Sequence, residues 1–88
     1  MIFNQIRKYE LLVNDHQIIP IKGSSEPLCV QMQGGKIMLW ARVSEYDSGE
    51  IYSMKIGMAG TGHEAPSGKY IGTVQADDGM VWHIFLEW

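Results

Sequence analysis

The residues with the widest choice of chemistry lie together in one stretch, 57–72, which reads Gly-Met-Ala-Gly-Thr-Gly-His-Glu-Ala-Pro-Ser-Gly-Lys-Tyr-Ile-Gly. Its glycines allow backbone to come close to a ligand, and successive N–H groups in such a run can form a concave nest that holds an anion. Thr61, His63, Ser67 and Lys69 would add donors to a phosphate or carboxylate. Gly60, Thr61, Gly62, His63, Glu64, Ser67, Lys69 and Tyr70 are therefore the candidate ligand or partner loop. The stretch lacks the Gly-Lys-Ser/Thr ending of a Walker loop and the glycine spacing and following helix of a Rossmann turn. A Gly- and Pro-shaped connection between two strands accounts for the same composition.

Other constellations are weaker. His16, His63 and His83 can be drawn with Glu64 or Glu87 into a metal site, but none has a recognised ligand spacing and Cys29 is the single cysteine. No metal or cofactor is expected. A nucleophile could be drawn from Cys29 or Ser67 with His63 or His83, yet nothing resembles a nucleophile elbow, and so small a chain offers little volume for a pocket that excludes water. No catalytic residue is assigned, and a non-enzymatic binding role is the expectation. His83, between Trp82 and Ile84, reads as a half-buried strand histidine, and Asp77-Asp78 as turn carboxylates.

The elements that must position these residues are strands. Hydrophobic spacing follows a period of two, and Gly, Asn-Asp or Asp-Gly punctuation recurs roughly every ten residues. Strands are expected at about 5–13, 17–22, 28–33, 36–44, 50–58, 69–76 and 80–87. Gly34-Gly35 should turn a hairpin over 28–44, Asp77-Asp78-Gly79 a C-terminal hairpin, and Asn14-Asp15-His16 a third turn. Phe3, Ile6, Tyr9 or Glu10, and Val13 also fit a helix face, but Arg7, Tyr9 and Leu11 alternate against Lys8, Glu10 and Leu12, and no capping box precedes the run. The chain reads as one all-β domain over 1–88, a small antiparallel sandwich or barrel of six to seven strands.

Composition bounds the partners. With 88 residues, 45% of them apolar and 19% charged, a single thin core is expected, and subunit association would help it. A net charge of −3 supplies no attraction toward DNA or RNA. No window approaches the about 18 apolar residues that a membrane span needs, and one lone cysteine suits the reducing cytoplasm. Ile37, Leu39, Ala41 and Val43 form a core face, which leaves Met38 and Trp40 on the other side. The last strand sets Met80, Trp82, Ile84, Leu86 and Trp88 against Val81, His83, Phe85 and Glu87. Neither face is plainly solvated, so Met38, Trp40, Trp82, Phe85 and Trp88 are candidate contact residues of a homo-oligomer or partner interface.

Lys8-Tyr9-Glu10-Leu11, Val30-Gln31, Lys36 to Ala41, Gly60-Thr61-Gly62-His63, Tyr70-Ile71-Gly72-Thr73 and Val81-Trp82-His83, in this order, resemble a small uncharacterised family encoded by tailed phages and prophages. The resemblance spans nearly the whole chain. It departs from the family after the Gly-Thr-Gly-His run, where Glu64-Ala65 precedes Pro66. It implies a phage accessory protein in the bacterial host cytoplasm that binds a host protein, with interference in antiviral defence as its outcome. A binder of a nucleotide signal through the glycine-rich loop, and a virion or assembly component, are the competing expectations.

Overall fold

A computed structural model describes residues 3–45 and 49–88. Seven strands follow one another: β1 (Phe3–Leu11), β2 (His16–Ile21), β3 (Gly23–Gln33), β4 (Lys36–Glu45), β5 (Tyr52–Gly60), β6 (Gly68–Gln75) and β7 (Val81–Glu87). They form two antiparallel sheets, β1-β4-β3 and β2-β5-β7-β6, and no closed barrel. Among the described residues there is no helix, and so none long and apolar enough to cross a membrane.

Local chemistry explains the hairpins. Gly34 and Gly35 take φ of 58° and 77°, the pair of positive values that a two-residue primed turn needs, with Gln33 opposite Lys36. At the C-terminal hairpin Gly79 takes φ 87° and Gln75 pairs with Val81. The N-terminal run is strand, as its alternation predicts. Its partner is β4, and residues 12–15, where the Asn14-Asp15-His16 turn was expected, carry the chain from one sheet to the other. β3 begins at Gly23, ahead of the expected 28, because the polar Ser24-Ser25-Glu26-Pro27 run hides an edge strand. A proline is tolerated there when its missing N–H would face away from the neighbouring strand.

The two sheets bury one face each. Leu39, Ile56 and Ile84 are fully buried and come from β4, β5 and β7, the interior strands of the two sheets. Ile37, Ala41 and Val43 from β4, Met54 and Met58 from β5, and Leu11, Ile19, Ile21, Val30 and Val74 complete the core, as alternation demands. Each of the Val, Leu, Ile and Met side chains among them contributes about 1.5–3 kcal/mol by leaving water, and no polar or charged side chain is buried among the described residues. Along one margin β3 lies against β6. Gly72 faces Val30 so closely that a Cβ there would stand 2.8 Å from Val30 Cγ2. Both strands carry a bulge at this corner, between Pro27 and Cys29 and between Tyr70 and Gly72, which bends them around the core.

Candidate functional site

Loop 61–67 does not project into solvent; it folds back over the outer face of the four-stranded sheet. Gly57 makes this possible. It sits mid-strand on β5, and a Cβ added there would stand 2.6 Å from Pro66 Cβ and 3.0 Å from the Glu87 carboxyl carbon. The missing side chain is a seat for Pro66. His16, in register with Gly57, bonds Glu87 on β7 through Nδ1 and Oε1 at 2.8 Å, and so straps β2 to β7 across β5 beneath the loop. The hydrogen bond and charge of Glu87 raise the His16 pKa above its ordinary 6.5. At the loop's start the His63 N–H donates to the Gly60 carbonyl at 3.1 Å, and its ring edge covers Gly60.

The folded loop leaves a depression on each side of His63. The larger is an open cleft of about 650 Å³, within the size range of small-ligand sites, walled by Trp82, Met58 and Pro66 and rimmed by Asp15, His16, His63, Glu64 and Glu87. The smaller, about 230 Å³, lies over Ala59 between Thr61, His63, His83 and Phe85. Beside it runs a chain of hydrogen bonds: Thr61 Oγ1 to His83 Nε2 at 2.8 Å, His83 Nδ1 to Thr73 Oγ1 at 3.0 Å, and Thr73 Oγ1 to the Tyr70 hydroxyl at 2.6 Å. A neutral imidazole donates from one nitrogen and accepts at the other, so the chain has two polarities. Either the Tyr70 or the Thr61 hydroxyl is left free to donate outward. The Tyr70 and Phe85 rings meet edge to face, 5.5 Å between centroids, and extend the surface with apolar area.

The candidate loop residues are brought only partly together. Gly60, Thr61, Gly62, His63, Glu64 and Ser67 border the two depressions. Lys69 and Tyr70 belong to β6, and Lys69 stands at the corner with Pro27, Leu28 and Ile71, away from both. The larger cleft carries three carboxylates and two imidazoles and no lysine or arginine, an electrostatic setting that opposes phosphate. The His63 N–H, one of the donors expected of an anion nest, is spent in the turn.

The five candidate contact residues do not form one patch. Met38 is 9% exposed but lies outside the core, beneath long polar side chains on the outer face of the three-stranded sheet. Lys8 Nζ reaches Gln33 Oε1 at 2.8 Å diagonally across β4, and Lys36 Nζ stands 3.4 Å from Glu10 Oε1 beside it. Trp40 is half-buried on that same face, between Lys8 and Cys29. Trp82 points inward, packs on the core and walls the cleft. Phe85 lies half-buried on the opposite outer face, and Trp88 is 82% exposed at the C-terminal end.

Asp15, Gly57 and Thr73 were not among the candidate site residues of the sequence, and His16 and Glu87 were candidates for chemistry only in a weak metal constellation. A lone glycine inside a strand pattern signals close approach of another segment, which is the role of Gly57. The C-terminal turn, counted outward, places Thr73 opposite His83. No curated protein and no solved structure matches the chain. One family model does, over residues 3–88 and thus over both sheets and the loop: the chain belongs to the family described as a domain of unknown function, DUF7352.

Proposed function

We propose that the protein is a non-catalytic binding module whose recognition surface is loop 61–67 and the adjoining outer face of the four-stranded sheet. The observation that carries this reading is the loop's seating on Gly57. The glycine-rich connection rests through Pro66 on Gly57 beside the Glu87 carboxyl, so that the two depressions are preformed, and the Tyr70–Phe85 pair beside them is fixed by the pairing of β6 with β7. Preformed surfaces avoid the ordering cost of binding, and aromatic anchors beside polar groups are the usual composition of protein contact sites. The acidic rim favours a partner segment that brings basic side chains over a phosphate-bearing ligand. The resemblance to phage-encoded proteins supports a bacterial host protein as that partner, in the host cytoplasm, with antiviral defence blunted by the capture.

The test compares the wild-type protein with a Tyr70→Ala, His83→Ala double variant, both immobilised and exposed to host lysate, with circular dichroism confirming that the variant keeps its fold. A host protein retained by the wild type should fall about tenfold on the variant, as expected when anchor residues are removed. Equal retention by both would remove this face as the recognition surface.

A further inference from the structure

Of the four strand edges in this sandwich, three are unfit for pairing. β2 is six residues long and contains Pro20. β3 contains Pro27 and a bulge, and β6 a bulge at Ile71, and these two strands lie against each other. Pro, bulges and short length stop sheet edges from adding strands, and so do charged side chains on the edge. β1 lacks the first three, so its pairing is governed by its charges, Arg7, Lys8 and Glu10. It runs nine residues without proline or register shift, and among the described residues no strand pairs with its far side.

The groups it offers can be identified. In a two-residue primed hairpin the residues flanking the turn bond each other, so Lys36 turns its N–H and C=O toward β3 and Ile37 turns its own toward β1. Leu11, Tyr9, Arg7 and Gln5 therefore bond β4, and Glu10, Lys8, Ile6 and Asn4 face the free edge. Leu12 confirms the phase. Its N–H and C=O, next in the same series, are both taken by the Gln17 side-chain amide at 3.0 and 2.7 Å, which ends the open ladder. Ile6, on this edge, is 68% exposed, and Leu12 beyond it 60%.

We propose that a second copy of the chain docks on this edge, β1 against β1 antiparallel, to give a continuous six-stranded sheet across a two-fold axis. Only even-numbered residues present groups, so the registers are few. Centring on residue 7 sets Arg7 against Arg7, and centring on residue 8 sets Lys8 against Lys8; like charges directly opposite are destabilising. Centring on residue 9 sets Lys8 of each copy opposite Glu10 of the other and brings the exposed Ile6 beside Leu12. Centring on residue 6 pairs no opposite charges, so charge complementarity selects the register about Tyr9. This inference does not rest on the partner reading, since it concerns a different edge of the other sheet and needs no partner.

The experiment is sedimentation equilibrium at low salt on the wild type, Lys8→Glu, Glu10→Lys and the double reversal, together with hydrogen exchange of the Lys8 and Glu10 amides at increasing protein concentration. The wild type should dimerise, each single reversal should weaken the dimer about tenfold as two attractive pairs become repulsive, and the double reversal should restore it. The two amides should gain protection as concentration rises. A wild type that stays monomeric, with both amides exchanging freely at every concentration, overturns the proposal. So does a dimer that ignores the charge reversals and leaves those amides unprotected.

Discussion

The two outer faces of this sandwich are made of similar strand chemistry and end up unlike each other. On the three-stranded sheet, Met38 and Trp40 are covered by side chains of the neighbouring strands: Lys8 bonds Gln33 across β4, and Glu10 pairs with Lys36. On the four-stranded sheet, the cover over Gly57 is a segment of backbone, loop 61–67, held by Pro66 and the His16–Glu87 strap. Long flexible side chains smooth a face, because their stems lie on the apolar surface while their heads stay in water. A folded-back loop cannot lie flat, so it leaves depressions at its margins. The first face becomes an ordinary solvated surface, and the second becomes a surface with shape.

The comparison breaks most sharply at Gly57. A Gly57→Val side chain would occupy the space of Pro66 and the Glu87 carboxyl, and overpacking of this kind costs about 1–3 kcal/mol. The urea midpoint should fall by the corresponding amount, and the His63 amide should lose its protection from exchange as the loop lifts. A variant whose midpoint and loop protection are both unchanged would mean that the loop is not seated on β5.

A milder effect is expected at Met38→Ala, where the cover is mobile and can collapse into the space. Buried Met→Ala changes in a core cost about 2–5 kcal/mol, so a loss nearer about 1 kcal/mol should distinguish this position from Met54 or Met58, which are 3% exposed within the core. Chemical denaturation of the three alanine variants reads the order directly. Equal losses at all three would show that the side-chain lid is as rigid as the core.

The smallest effect is a pH dependence confined to the loop face. Because Glu87 raises the His16 pKa in the folded protein, the strap contributes fully below the ordinary value of 6.5 and is lost as pH rises through the raised value. His16 is solvent-exposed, so the change is small and screened by salt. Wild type should lose slightly more stability than His16→Asn between acidic and mildly alkaline pH, and superimposable profiles would show that the strap carries no charge.

The legibility of the molecule follows the range of its interactions. Hairpins β3–β4 and β6–β7 were readable because Gly34-Gly35 and Asp77-Asp78-Gly79 specify their turns within four residues. The pairing of Thr73 with His83 was then a matter of counting. The core face of β4 was readable from alternation alone. The bulges at Leu28 and Ile71, the start of β3 and the partnership of β1 with β4 were not, because each depends on a strand distant in sequence. Among the site residues, Thr61 and His63 stood out as members of an unusual loop. The placement of His63 in one cleft with His16 and Glu87 did not, since nothing near residue 63 records that Pro66 will rest on Gly57.

By itself the sequence determined an all-β chain, its two tight hairpins and the inward rows of apolar residues, because periodicity and turn chemistry act over a few neighbouring positions. Only the tertiary structure decided which strands share a sheet, which edge stays open and which face acquires a loop. Those outcomes are set by contacts between residues such as 8 and 33, 16 and 87, and 57 and 66. Such pairs meet only after the sheets have assembled, and no local pattern encodes which of many compatible side chains will cover a given surface.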